Sequence, residues 1–257
     1  MPDPGGLAAR TFRSTGPGGA PAPPSGPPVL LVHGFASDGE GDWVATGLAA
    51  ALAETGRTVV VPDLPGHGRS PDPATPEEAG APAQAAALLA SLDAAAGDGD
   101  GSGGFDVVGY SLGARLAWEI AVSAPGRVRR AVLGGLSPGE PFAAVDVAAL
   151  YAAVRDGAEP ADPLTSAIAG MVKARGTRAG ALAACVEGLR AIPFEPGEWP
   201  GQEPPVFVLG EDDGMARGVT GLAERVGGAR LVVVPGAHHE VLAGPGFRGT
   251  VLKALAR

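Results

Sequence analysis

The stretch FDVVGYSLGARLA, residues 105–117, decides the fold. Its first half is apolar and β-branched, as a buried strand requires, and its second half, LGARLA, is built of helix formers. At the junction Gly109-Tyr110-Ser111-Leu112-Gly113 reads G-x-S-x-G, with glycines where a chain must turn sharply and let a helix close onto a strand. In a chain with 42 glycines such a pentapeptide is easily met by chance. Its position between strand and helix is what marks Ser111 as a candidate nucleophile, its hydroxyl raised at the top of the sheet and the Leu112 N–H free at a helix N-terminus.

Working outward, the same strand-then-helix rhythm recurs. Short apolar runs end in turn residues at 29–34 (VLLVHG), 58–63 (TVVVPD), 130–135 (RAVLGG), 205–210 (PVFVLG) and 230–236 (RLVVVPG). Near-continuous runs of this kind suit strands buried on both faces. Helical stretches separate them at 46–56, 84–97 and 112–126. The alternation predicts an α/β fold with a mostly parallel, doubly wound sheet. Residues 1–28 are expected to hold an N-terminal strand and a flexible Gly/Pro-rich segment, because GPGGAPAPPSGPP at 16–28 can sit in no helix or sheet interior. The core then comprises 29–136 and 203–257. Between them, 137–202 carries helical pieces near 145–157, 162–176 and 178–192 and no convincing strand, and it reads as a helical cap over the C-terminal edge of the sheet.

Composition narrows the partners. A formal charge of -9 without any Lys/Arg cluster argues against nucleic acid and against anionic membrane surfaces. No segment offers 18 uninterrupted apolar residues, and the first fifteen lack the pattern of a secretory leader. The single cysteine, Cys185, can form no internal disulfide, which fits a reducing compartment, so a cytoplasmic protein acting on a small molecule is expected. No Cys/His set has zinc spacing, and the Asp/Gly run at 97–104 matches the calcium-loop pattern poorly, so no metal or cofactor is expected.

A serine nucleophile needs a base, and the base needs an orienting acid. Of four histidines, His33 and His67 precede the serine in loops, while His238 and His239 follow the last strand. Spacing from Gly236 favours His239, with His238 the alternative. The acid belongs after the penultimate strand, where Glu211-Asp212-Asp213 follows Gly210; the count favours Asp213 over Asp212, with Glu140 a remoter substitute.

At this point the chain resembles the α/β-hydrolase superfamily. HGF at 33–35, DLPGHGRS at 63–70, GYSLGA at 109–114, GEDD at 210–213 and PGAHHEVL at 235–242 carry the resemblance in the expected order. It is similar to a bacterial group of α/β fold hydrolases of unassigned substrate, and also to the menaquinone-pathway SHCHC synthases. The resemblance implies that the oxyanion donors are the backbone N–H groups of Phe35 and Leu112, and that 137–202 lines an acyl pocket. The expected activity is a carboxylesterase-like serine hydrolase working through Ser111, Asp213 and His239 on an ester or thioester. Two other readings stand beside it: a lyase or carbon–carbon hydrolase binding an acidic substrate, and a non-catalytic binding protein. Arg115 could hold a substrate carboxylate or form an ion pair under the turn. Trp43 and Tyr151 are candidates to wall the pocket, while Met171, Cys185, Phe194 and Trp199 are read as core.

Overall fold

A computed structural model describes residues 6–15, 23–97 and 103–256. The centre of the Asp/Gly run, 98–102, and most of the Gly/Pro segment, 16–22, lie outside the described residues. Seven strands form one sheet: β1 (Ala9–Phe12), β2 (Val29–Val32), β3 (Val59–Pro62), β4 (Phe105–Tyr110), β5 (Val128–Gly134), β6 (Val206–Gly210) and β7 (Arg230–Val234). Their spatial order is β1-β3-β2-β4-β5-β6-β7. Only β1 runs antiparallel, pairing with β3 from Ala9 opposite Pro62 to Phe12 opposite Val59; all other pairings are parallel.

The apolar runs are continuous because the sheet is covered on both sides. Leu30, Val32, Val60, Val107 and Leu133 face a layer that includes α2 (Ala81–Ala96) and α3 (Leu112–Ser123). The alternate residues Val29, Leu31, Val59, Val61 and Val108 face α1 (Leu48–Glu54) and α9 (Pro245–Leu255). The expected α/β architecture is the one observed. The remaining core helices are α7 (Val219–Arg225) and α8 (His238–Ala243). Between β5 and β6 the chain forms α4 (Val147–Asp156), α5 (Pro163–Lys173) and α6 (Ala179–Ala191). Asp146 and Asp162 cap α4 and α5 by accepting from the N–H groups of Ala149 and Thr165, which fixes where each helix begins.

Trp43 is not a pocket wall. It sits on a π-helical turn, Glu40–Val44, is fully buried on the α1/α9 side of the sheet, and stacks on Phe247 with ring centroids 6.2 Å apart. Its sequence neighbours, glycines and acids, gave no hint that the chain dips inward there. Truncation should leave a large void, so Trp43→Ala is expected to lose about 3–5 kcal/mol of stability, read as a shifted denaturant midpoint. Trp43→Phe should lose less, because the buried indole N–H has no acceptor among the described residues.

Candidate active site

The turn after β4 is forced by two close approaches. A Cβ at Gly113 would lie 1.9 Å from the Val32 carbonyl oxygen, and one at Gly109 would lie 2.2 Å from the Gly113 carbonyl oxygen. Only hydrogen fits at either position, which gives the G-x-S-x-G spacing its physical content. Ser111 between them adopts φ 54°, ψ -118°, a strained conformation for a residue with a Cβ. Hydrogen bonding holds it there: its N–H donates to Gly134 O at 2.8 Å, and its carbonyl accepts from Ala114 and Arg115 at the start of α3.

Asp213 is the buried member of its acidic cluster, whereas Glu211 and Asp212 are exposed. Its Oδ1 accepts from the N–H groups of Met215 and Ala216, at 3.0 and 3.2 Å, and its Oδ2 accepts from His238 Nδ1 at 2.7 Å. The histidine paired with the acid is therefore His238, not His239. Gly236, at φ 110°, turns the chain so tightly after β7 that α8 begins at His238 itself. Successive helical residues point roughly 100° apart, so only one of the two imidazoles can face Asp213. Tyr110 fixes the choice from below by donating its hydroxyl hydrogen to the His238 carbonyl. His239 packs edge-on against the His238 ring, with centroids 5.4 Å apart.

Ser111, His238 and His239 share the wall of one cavity of about 140 Å³. Phe35 and Leu112 line it too, and their N–H groups donate to no acceptor among the described residues. The rest of the wall is chiefly apolar. Sequence reasoning missed most of it: Phe142, Leu164, Ile168 and Met215 had not been singled out, and Met171 and Phe194, read as core, lie on the wall as well. The signal for part of this was present, since Leu164, Ile168 and Met171 fall at i, i+4 and i+7 on α5. Cys185 is buried in α6 with its thiol against Pro65 O, and burial pushes it up to about 12, leaving an inert thiol.

Tyr151 is another correction. It lies off the cavity wall and donates its hydroxyl to Glu187 Oε2 at 2.8 Å, joining α4 to α6. Arg115 does line the cavity, yet it is already engaged: Nη1 lies 2.6 Å from Glu140 Oε2, and Nη2 donates to Ile192 O at 2.7 Å and Leu189 O at 3.2 Å. That pairing also removes Glu140 as a substitute acid.

The two early histidines are braces. His33 Nδ1 donates to Gly34 O and its Nε2 accepts from Leu64 N–H; His67 Nδ1 donates to Pro65 O and its Nε2 accepts from Ala36 N–H. Each ring uses one nitrogen as donor and the other as acceptor, a pattern only the neutral form can satisfy. Burial, aided by the neighbouring His33, pulls His67 down to about 3, and burial lowers His33 as well. Among the described residues no group of three or more His, Cys, Asp or Glu is placed to hold a metal ion, and no helix is long and apolar enough to cross a membrane.

The alpha/beta hydrolase family model matches residues 29–246, which takes in the turn at Ser111, the acidic turn and the late histidines. The chain belongs to the alpha/beta hydrolase family. Among solved structures it is similar to a thermophilic esterase from Thermogutta terrifontis, with a TM-score of 0.69 and 22% identity, covering 97% of this chain and 93% of that one. It is also similar to the enol-lactonase from Burkholderia xenovorans LB400, with a TM-score of 0.70, 19% identity and coverage of 98% and 96%. At these identities the likeness is one of fold. An uncharacterized protein of Mycobacterium tuberculosis is 35% identical over 125 residues, 48% of this chain and 31% of that protein. The chain thus spans under a third of the length of that curated relative.

Neutral His67 sets a pH dependence. The unfolded chain takes up this proton near the ordinary imidazole value of 6.5 and the folded one only near 3, so the unfolded state binds more protons between them. Stability should be complete above about pH 6.5 and fall progressively as pH drops toward 3. Thermal midpoints measured across that window should decline less steeply for His67→Gln than for wild type, with a residual slope from His33.

Proposed function

We propose that the protein is a serine hydrolase that cleaves an ester or thioester of an apolar acid through Ser111, His238 and Asp213. The observation that carries this reading is the 2.7 Å bond from His238 to a fully buried Asp213 carboxylate, in a ring that shares one cavity with the strained Ser111. The bond to Asp213 puts the proton on Nδ1 and leaves Nε2 as the base. Ser111 Oγ attacks the substrate carbonyl carbon while its proton passes to Nε2. The oxyanion is received by the N–H groups of Phe35 and Leu112, the second at a helix N-terminus. His238 then returns the proton to the departing alcohol or thiol, and water enters by the same steps in reverse order to release the acid.

The substrate class follows from the cavity. An apolar cavity of about 150 Å³ is enough for a benzene-sized molecule, and the 140 Å³ here is of that order. The segment 137–202 acts as the cap that shapes it. A lyase or carbon–carbon hydrolase of an acidic substrate fits less well, because Arg115, the one Lys or Arg on the wall among the described residues, is already neutralised by Glu140. A binding protein would have no need of the Asp213–His238 pair. The buried lone cysteine fits a cytoplasmic setting.

Ser111→Ala and His238→Ala should each lower kcat on an activated ester by at least about 1,000-fold, while His239→Ala retains most activity. A fluorophosphonate should label Ser111 and no other residue. Labelling elsewhere, or a His239→Ala variant as inactive as His238→Ala, would overturn the assignment. Across p-nitrophenyl esters, kcat/KM should peak near a chain of about six carbons, judged by the benzene-sized cavity, and fall toward acetate and laurate.

A further inference from the structure

We infer that Asp42 is the positioning residue of the oxyanion donor: it clamps the loop after β2 so that, of the N–H groups of residues 34–37, that of Phe35 alone has no acceptor among the described residues and is left for the cavity. The inference rests on the hydrolase reading. Its basis is the fate of four successive N–H groups. Gly34 donates to Asp42 Oδ2 at 2.9 Å, Ala36 to His67 Nε2 at 3.1 Å, and Ser37 to Gly34 O at 3.3 Å. Phe35, between them, has no acceptor among the described residues.

The loop would not hold this shape unaided. Ala36 has φ 54°, a left-handed conformation that costs a residue with a Cβ and persists only where its surroundings over-determine it. Asp42 supplies that constraint from two sides, since its Oδ1 also accepts from the Ser37 hydroxyl at 2.5 Å. One carboxylate therefore grips residues 34 and 37, either side of Phe35 and Ala36. It is itself 7% exposed and fixed in the middle of the Glu40–Val44 turn that the buried Trp43 anchors. Its backbone is tied down as well: the Asp42 N–H donates to Asp38 O, and its carbonyl accepts from Thr46 Oγ1. A rigid element thus sets the loop, and the loop sets the donor.

Asp42→Ala should free the loop and misplace the Phe35 N–H. We expect kcat on an activated ester to fall about 100-fold with KM little changed, the signature of a lost transition-state donor. An alkyl trifluoromethyl ketone, which forms an oxyanion on Ser111, should lose affinity in proportion, while the matching unreactive methyl ketone binds as before. Asp42→Asn should recover most of the loss, because its amide oxygen can accept from Gly34 and its NH₂ can donate to Ser37. If Asp42→Ala does not fold, Ser37→Ala decides: kcat falls several-fold with KM held if the clamp matters, and stays at wild type if it does not. Unchanged kcat, or equal weakening of both ketones, would overturn the inference. An inactive, unlabelled wild type would sink the hydrolase reading and this inference with it, whereas an active wild type with an unaffected Asp42→Ala would sink the inference alone.

Discussion

The contact between α3 and β2 at Gly113 and Val32 is the constraint from which the site follows. With room for a hydrogen and nothing larger, the helix seats directly on the end of a strand. That seating leaves no length of chain for a relaxed turn, so Ser111 carries the strain in its own backbone. It also brings the start of α3 against the residues that follow β2, and so places the Leu112 N–H beside the loop holding Phe35. Two elements far apart in sequence meet there because β2 and β4 are parallel neighbours, paired from Val29 opposite Asp106 to Val32 opposite Gly109.

Around that contact, hydrogen bonds are spent on holding positions. The bonds of His33 and His67 tie the loop after β2 to the loop after β3, and both rings must stay neutral to do it. His238 differs in having a carboxylate on Nδ1 and a cavity at its side. Four histidines with one intrinsic chemistry therefore divide into buried braces and cavity residues according to what each nitrogen meets.

The sheet was legible because its evidence is local and redundant: each strand announces itself by a run of apolar residues, and covering both faces makes those runs continuous. The turns that hold Ser111 and Asp213 were legible for a similar reason, as each sits at a fixed offset from a strand end. His238 and His239 were not separable by counting, because the start of α8 decides the matter and a shift of one residue rotates the ring away from Asp213. Trp43 and Tyr151 were misread for another reason. Aromatic type signals burial, but whether the buried face meets core or cavity depends on distant partners, here Phe247 for one and Glu187 for the other.

Arg115 shows how the segment between β5 and β6 is tied to α3 and the cavity. Glu140 lies before its helices and Leu189 and Ile192 at their end, and a single guanidinium on α3 reaches all three. Burial draws Arg115 down and pushes Glu140 up, so desolvation weighs on both partners and their mutual attraction offsets it. Such a pair is a poor source of net stability, and replacing it with apolar side chains of similar size could even stabilise the fold. What it supplies is registration: both ends of the segment are fixed to the helix that follows Ser111, so α5 presents Leu164, Ile168 and Met171 to the cavity at a set distance from the serine. Because the pair cancels its own charge, the cavity wall carries no free cation among the described residues, and what it presents to the cavity is chiefly an apolar surface.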